Sequence, residues 1–157
     1  MSAFRRVTQV LCVLLLWLFA TQPLAQSYGP NIDVATARKI AAGAVAECQG
    51  NKWRVAVAIV DTHGSLVYFE RIDDTQIASL KIALDKAVAA ATYRRPTRVW
   101  DDAMAKGRTA VVTLAGVVAS PGGVPIVAGG KVIGAVGVSG ATGDQDEQCA
   151  KAGVAAM

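Results

Sequence analysis

Residues Gly122 to Gly140 read GGVPIVAGGKVIGAVGVSG, and this stretch decides the fold. Two apolar runs rich in β-branched residues, Val124 to Ala128 and Lys131 to Val138, flank the pair Gly129-Gly130. A Gly-Gly pair supplies the positive φ that a two-residue hairpin turn requires. The stretch therefore predicts an antiparallel β-hairpin.

Gly134 and Gly137 lie inside the second run, where a missing side chain lets another backbone or a ligand approach. Close packing is the favoured explanation, because interior glycines more often serve packing. The segment GGKVIG lacks the G-x-x-x-x-G-K-[ST] spacing of a phosphate loop and opens a strand instead of a helix. This excludes nucleotide binding of that type.

The N-terminus predicts export. Arg5 and Arg6 precede the apolar stretch Val7 to Ala20, an arrangement typical of a secretory signal peptide. A membrane-spanning helix needs about 20 apolar residues, and this stretch is shorter. We expect residues 1–25 to be removed after Ala25, with cleavage after Ala20 as the alternative. The mature chain would be periplasmic or secreted and would keep no membrane span.

The charge balance argues against a nucleic-acid partner. The chain has 16 Lys and Arg against 12 Asp and Glu, and loss of Arg5 and Arg6 with the signal lowers the net charge from +4 to +2. No Lys/Arg cluster is interleaved with aromatic residues, so the electrostatic footprint of a nucleic-acid binder is missing. About 130 residues remain, which suffices for one domain over residues 26–157.

The mature chain keeps two cysteines, Cys48 and Cys149. An oxidising compartment favours a disulfide between them, but two separate buried thiols are an equal alternative. No metal site is predicted, because His63 is the single histidine and no Cys-x-x-Cys spacing occurs. His63 lies in a glycine turn, where we expect it to be solvated and not a ligand.

Periodicity and turn residues predict the remaining elements. The first is a helix capped by Asp33 and ending near Gly50, followed by strands at Trp53 to Val60 and Leu66 to Glu70. A second helix has an apolar stripe from Ile77 to Ala91 and ends before Pro96, and a short helix capped by Thr97 runs through Trp100 to Lys106. A loop with a possible strand from Gly107 to Pro121 precedes the hairpin, and a final helix begins at about Gly143.

This order predicts an α+β domain, with a mainly antiparallel sheet of four to five strands flanked by helices. The nearly continuous apolar runs Val55 to Val60 and Val132 to Val138 indicate that both sheet faces are covered, either by helices or by a neighbouring subunit. We therefore expect a homo-oligomer.

Several charged residues have a structural explanation that competes with ligand binding. Lys86 and Arg94-Arg95 are placed at or near the last turns of the second long helix, where the helix dipole favours cations. Asp144, Asp146 and Glu147 suit the N-terminus of the last helix for the same reason. The alternative for the cations is binding of a carboxylate or propionate.

Three segments together resemble one family: AVAIVDTHGSLVYFERID from Ala56, IALDKAVAAATYRRPT from Ile82, and PGGVPIVAGGKVIGAVGVSGATGDQDEQCAKAG from Pro121. From Asp33 to Met157 the chain resembles the GlcG/HbpS-like haem-binding, or haem-degrading, domain family. The resemblance implies a profilin-like or PAS-like sheet domain, oligomeric assembly, and haem or another tetrapyrrole as cofactor.

The resemblance also implies candidate cofactor-binding residues, with Arg94 or Arg95 holding a propionate and the two glycines allowing close backbone approach. The set is Lys86, Arg94, Arg95, Thr97, Gly122, Gly123 and Asp146.

The iron ligand stays open, because no Cys-x-x-Cys-His motif for covalent haem attachment is present. The available axial donors are His63, Met104, Met157, the cysteines and the tyrosines. Related haem binders can use a threonine, but the sequence does not single one out. Weak or surface binding of haem is therefore indicated.

Three functions follow from these observations. The first is an exported protein that sequesters, buffers or senses haem. The second is a haem-degrading enzyme, although no catalytic constellation is recognisable, and the pairs Asp73-Asp74 and Asp101-Asp102 are typical of a turn and a helix start. The third is an accessory oligomeric protein that binds another small molecule.

Overall fold

The structure is a computed structural model that describes residues 27–157; the predicted signal peptide, residues 1–25, lies outside them. In chain order the elements are α1 (Val34–Gly50), β1 (Ala56–Asp61), β2 (Leu66–Arg71), α2 (Ala78–Tyr93), α3 (Arg98–Ala105), a 3-10 helix (Thr109–Thr113), β3 (Gly123–Ala128), β4 (Lys131–Ser139) and α4 (Gly143–Ala155).

The four strands form one sheet in the order β2-β1-β4-β3, and all neighbouring strands are antiparallel. Both predicted hairpins are present, and β1 pairs with β4 from Ala56 opposite Ser139 to Asp61 opposite Gly134. The prediction of an α+β domain with a mainly antiparallel sheet is confirmed, with four strands.

Helices cover both faces of the sheet. Helices α1 and α4 pack on the face that carries Val57 and Ile59, whereas α2 packs on the face that carries the small residues Ala56 and Ala58. The apolar strands predicted this double coverage, and in the described residues the chain's own helices supply it.

Gly137 permits the close approach of α2 to the sheet. A Cβ atom at this position would lie 2.0 Å from the carbonyl oxygen of Ala83 and 2.5 Å from the backbone nitrogen of Ala87. No side chain fits there without moving the helix. The packing role predicted for this glycine is therefore the one that the structure gives it.

Two local details differ from the sequence predictions. The segment from Gly107 to Pro121 is mostly loop, as predicted, but it holds a 3-10 helix in place of the possible strand, and its short apolar run packs against α3 through Val111. Thr97 precedes α3, but its side chain does not cap the helix. Its Oγ1 instead accepts a hydrogen bond from the backbone N–H of Gly123 at 3.0 Å, so a tertiary partner replaces the cap.

A disulfide joins two helices, and hydrogen bonds hold the start of the described chain against the sheet. Cys48 and Cys149 form a disulfide that joins α1 to α4, and both are fully buried. Residues 27–32 run beside β4, where the N–H of Gly29 donates to the carbonyl of Val132 at 2.8 Å. The hydroxyl of Tyr28 lies 2.9 Å from the carbonyl oxygens of Ala91 and Thr92, at the end of α2.

Within residues 27–157, none of the helices is both long and apolar enough to cross a bilayer.

Candidate functional site

Five of the seven residues predicted to bind a cofactor meet in one buried cluster between α2, α4 and the start of β3. We call it the Lys86 cluster; its members are Lys86, Thr97, Gly122, Gly123 and Asp146.

The centre of the Lys86 cluster is an ion pair. Nζ of Lys86 lies 2.8 Å from Oδ2 of Asp146 and donates a second hydrogen bond to the carbonyl oxygen of Val138 at 3.1 Å. Oδ1 of Asp146 accepts from the N–H of Ala141 at 3.0 Å. Burial raises the pKa of Asp146 above its ordinary value, although the charge of Lys86 opposes this shift.

The two glycines let backbone pass directly over this ion pair. A Cβ at Gly122 would lie 2.9 Å from Cβ of Asp146 and 3.0 Å from Nζ of Lys86. Gly122 also has a φ of +123°, a backbone conformation that residues other than glycine rarely adopt. A Cβ at Gly123 would lie 2.4 Å from the carbonyl oxygen of Lys86 and 2.6 Å from Cγ2 of Thr97. The approach of backbone that the sequence predicted is thus made by the chain itself.

The dipole explanation was wrong for Lys86, whereas Asp146 does lie in the first turn of α4, as predicted. Lys86 lies in the middle of α2, about two turns before its end, and 1% of its side chain is exposed. A signal for this burial was present in the sequence, since Lys86 recurs at helical spacing with the small residues Ala83 and Ala90. Any role of the cluster in binding haem stays a prediction.

A surface ion-pair network lies beside the Lys86 cluster and was not predicted from the sequence. Arg98, at the start of α3, bonds through its guanidinium to the carboxylates of Asp144 and Glu147 on α4. These contacts raise the pKa of Arg98 above its ordinary value. Thr142 and Gln145 form a capping box at the N-terminus of α4, which was also not predicted.

Arg94 and Arg95 lie outside the Lys86 cluster, at the C-terminal end of α2. Arg94 adopts the left-handed conformation, with φ of 54°, and its guanidinium lies 5.2 Å from the centroid of the Tyr28 ring. Arg95 is exposed, and its Nε donates to the carbonyl of Tyr93 at 3.2 Å. Arg95 therefore places positive charge on the surface, and Arg94 lies partly buried beside it.

A shallow cleft of about 260 Å³ opens on the outer face of α2. Its walls are Lys81, Asp85 and Val88 on the helix and the loop residues 116–118 opposite. Lys81 and Asp85 form an ion pair of 2.6 Å at its edge. Because enclosed small-molecule sites usually span about 300–1,000 Å³, this cleft is too small and too open to enclose a ligand of that size.

The structure reduces the number of side chains that are available as axial ligands to a haem iron. The disulfide removes Cys48 and Cys149 from that set. The hydroxyls of all three tyrosines make hydrogen bonds within the chain. His63 remains exposed, as do Met104 and Met157. In the part of the chain that the structure describes, no three His, Cys, Asp or Glu side chains form a group able to hold a metal ion.

The chain is similar to known proteins in both sequence and structure. GlcG of Escherichia coli strain K12 is 43% identical over 103 residues, which cover 66% of this chain and 77% of GlcG. A double mutant of HbpS from Streptomyces reticuli superposes with a TM-score of 0.74 at 30% identity, covering 87% of this chain and 97% of HbpS.

A crystal structure of a PduOC:heme complex superposes with a TM-score of 0.73 at 27% identity, over 81% of this chain and 95% of PduOC. The family model described as "Haem degrading protein HbpS-like" matches residues 32–155, nearly the whole described domain. The chain therefore belongs to the HbpS-like family of haem-degrading proteins.

Proposed function

We propose that this protein is an exported haem-binding protein that sequesters, buffers or senses haem. The observation that carries the proposal is the likeness over the whole domain to the HbpS-like family and to a solved haem complex, the PduOC structure. Haem would bring to the protein a redox-active iron and two propionates.

Export is supported by two independent features. The sequence predicts a signal peptide in residues 1–25. The disulfide between Cys48 and Cys149 suits an oxidising compartment, because cytosolic reductants keep most thiols reduced. We therefore propose a periplasmic or secreted location for the mature protein, and we expect it to form a homo-oligomer.

The surface chemistry favours an open haem site. The cations Arg94 and Arg95 lie at one end of α2, and the cleft with Val88 lies along the same helix. A guanidinium binds a propionate through two parallel hydrogen bonds, so these arginines would orient the ligand. Since the cleft is shallow, most of the macrocycle would stay in contact with solvent or with a second subunit.

The direct test is titration of the mature chain, from Gln26, with hemin. We expect a saturable Soret shift at one stoichiometric ratio, whereas an unrelated exported protein should show only linear uptake. Replacing Arg94 and Arg95 by Gln removes both charges and should weaken binding about tenfold, the loss expected for about 1.4 kcal/mol. The control replaces two exposed arginines elsewhere on the surface, Arg71 and Arg108. Linear uptake by the mature chain would contradict the proposal.

Haem degradation is the second candidate, and the description of the matching family favours it. The same hemin complex separates the two functions. Under degradation, the Soret band decays with time once a reductant and oxygen are added, and the decay exceeds that of free hemin. Under sequestration, buffering or sensing, the band persists. If the protein is instead an accessory protein for another small molecule, hemin produces neither effect.

A further inference from the structure

The turn that joins β1 to β2 holds the chain's single histidine in a defined position. Oδ1 of Asp61 accepts hydrogen bonds from the backbone N–H groups of His63, at 2.8 Å, and Ser65, at 2.9 Å. These bonds fix the backbone of the turn, while 76% of the His63 side chain stays exposed. The imidazole is therefore presented to solvent from an ordered base.

The side-chain amide of Asn31 fixes the direction in which the Thr62 hydroxyl donates its hydrogen bond. The backbone N–H of Thr62 lies 3.3 Å from Oδ1 of Asn31, and an N–H group needs an acceptor, so the oxygen of this amide faces the turn. Oγ1 of Thr62 lies 2.5 Å from the same oxygen. Because an amide oxygen only accepts, the Thr62 hydroxyl must be the donor in this bond.

The hydroxyl in turn decides the tautomer of His63. Oγ1 of Thr62 lies 3.3 Å from Nδ1 of His63. Since the only proton of the hydroxyl is directed to Asn31, Oγ1 can act only as an acceptor toward the ring. Nδ1 therefore carries the proton, and Oδ2 of Asp61, 4.0 Å away, favours the same arrangement. In the neutral ring, Nε2 is left with a free lone pair.

This is the state in which a histidine binds a metal. A metal-bound histidine commonly donates its second N–H to a nearby oxygen, which fixes the ring and strengthens its basicity. A bare zinc ion would need about three or four protein ligands, and residues 27–157 gather no such group. Haem iron needs only one or two protein donors, because the macrocycle supplies the other ligands.

The turn also lies against an apolar surface. A Cβ at Gly64 would lie 3.3 Å from Cγ1 of Val88, so the turn touches the helix that forms the cleft. Val88, Leu84 and Phe69 are partly buried and border the same core, on the face of the sheet covered by α2. A macrocycle bound with its centre over the imidazole of His63 would have these apolar side chains beneath one of its edges.

We propose that Nε2 of His63 is the protein ligand to the haem iron, and that Thr62 and Asn31 are positioning residues that hold the ring in the required tautomer. The inference rests on the proposed haem-binding function. It also assigns a role to a residue that the sequence alone indicated to be merely solvated.

The test compares hemin complexes of the mature chain and its His63→Ala variant. We expect the variant to show a shifted Soret band, a dissociation constant higher by about tenfold or more, and no iron–histidine stretch in the resonance Raman spectrum of the ferrous complex. Added imidazole should restore the wild-type spectrum. Met104→Leu removes another exposed donor and serves as the matched control, with no change expected.

The positioning role has its own pair of variants. Thr62→Val removes the acceptor at Nδ1 and should raise the dissociation constant several-fold while leaving the Soret position unchanged. Thr62→Ser keeps the hydroxyl and should behave as the wild type. Circular dichroism checks that the variants are folded.

The outcomes distinguish failure of the ligand assignment from failure of the proposed function. Saturable hemin binding with the same spectrum in the wild type and in His63→Ala overturns the ligand assignment and leaves the proposed function standing. Linear uptake by the wild type overturns both. Loss of the wild-type spectrum in Met104→Leu, with none in His63→Ala, would move the ligand to Met104.

Discussion

Nζ of Lys86 and Oδ2 of Asp146 lie 2.8 Å apart, and only 1% and 3% of the two side chains are exposed. Removing one partner of a buried pair leaves an uncompensated charge, which typically costs about 3–5 kcal/mol. We expect Lys86→Met and Asp146→Asn each to lower the free energy of unfolding by about that amount. The double variant should lose less than the two single losses added together. Urea unfolding of all three variants measures this.

An exposed ion pair provides the comparison. Arg54 and Asp74 lie 3.1 Å apart, but 62% and 74% of their side chains are exposed. Such pairs contribute about 0–1 kcal/mol, so Arg54→Gln should change the unfolding free energy by less than about 1 kcal/mol. Equal losses in Arg54→Gln and Lys86→Met would show that burial does not set the strength of the pair.

The raised pKa of Asp146 makes the contribution of this residue to the free energy of unfolding depend on pH. Between the ordinary pKa of a carboxyl and the raised value, the folded state binds more protons at this site than the unfolded state. The contribution of Asp146 to stability therefore falls as pH rises through that window. Subtracting the unfolding free energy of Asp146→Asn from that of the wild type, at each pH, isolates this contribution. A difference that grows with pH would contradict the shift.

Gly137 makes the packing of α2 sensitive to one methyl group. Gly137→Ala places a Cβ 2.0 Å from the Ala83 carbonyl oxygen, so we expect a loss of about 1–3 kcal/mol or more from overpacking. Gly50→Ala is the matched control, because a Cβ there meets no atom within 4 Å. Thermal unfolding of both variants gives the comparison, and a Gly137→Ala protein as stable as the control would refute the close approach.

The disulfide between Cys48 and Cys149 should contribute strongly to stability. The cross-link joins residues 101 positions apart and so restricts the unfolded chain. Replacing both cysteines by Ala should lower the unfolding free energy by about 2–5 kcal/mol. A reducing agent should lower the melting temperature of the wild type and leave that of the double variant unchanged. Equal melting temperatures for the two proteins, without reductant, would argue against the bond.

The elements of the fold were largely predictable, because local patterns specify them. The Gly129-Gly130 pair and the apolar, β-branched runs beside it predicted the second hairpin, and the apolar spacing after Asp33 predicted α1. Thr97 was misread because its partner, Gly123, is 26 positions away and competes with the local cap. Propensity rules describe neighbours along the chain and miss such a partner.

The site was less predictable for the same reason. The resemblance drew attention to Lys86 and Asp146, but their pairing joins residues 60 positions apart and follows only once α2 and α4 have each packed on the sheet. His63 was visible as a histidine in a glycine turn. Its tautomer depends on Asn31, which precedes α1 and reaches the turn only once the chain has folded.

The disulfide has a topological consequence. Cys48 and Cys149 close a covalent ring that contains all four strands, α2 and α3, and the turn with His63. A single protease cut in the exposed segment 104–110 would open this ring without releasing a fragment. Such a nicked molecule would migrate as one species on a non-reducing gel and as two species after reduction.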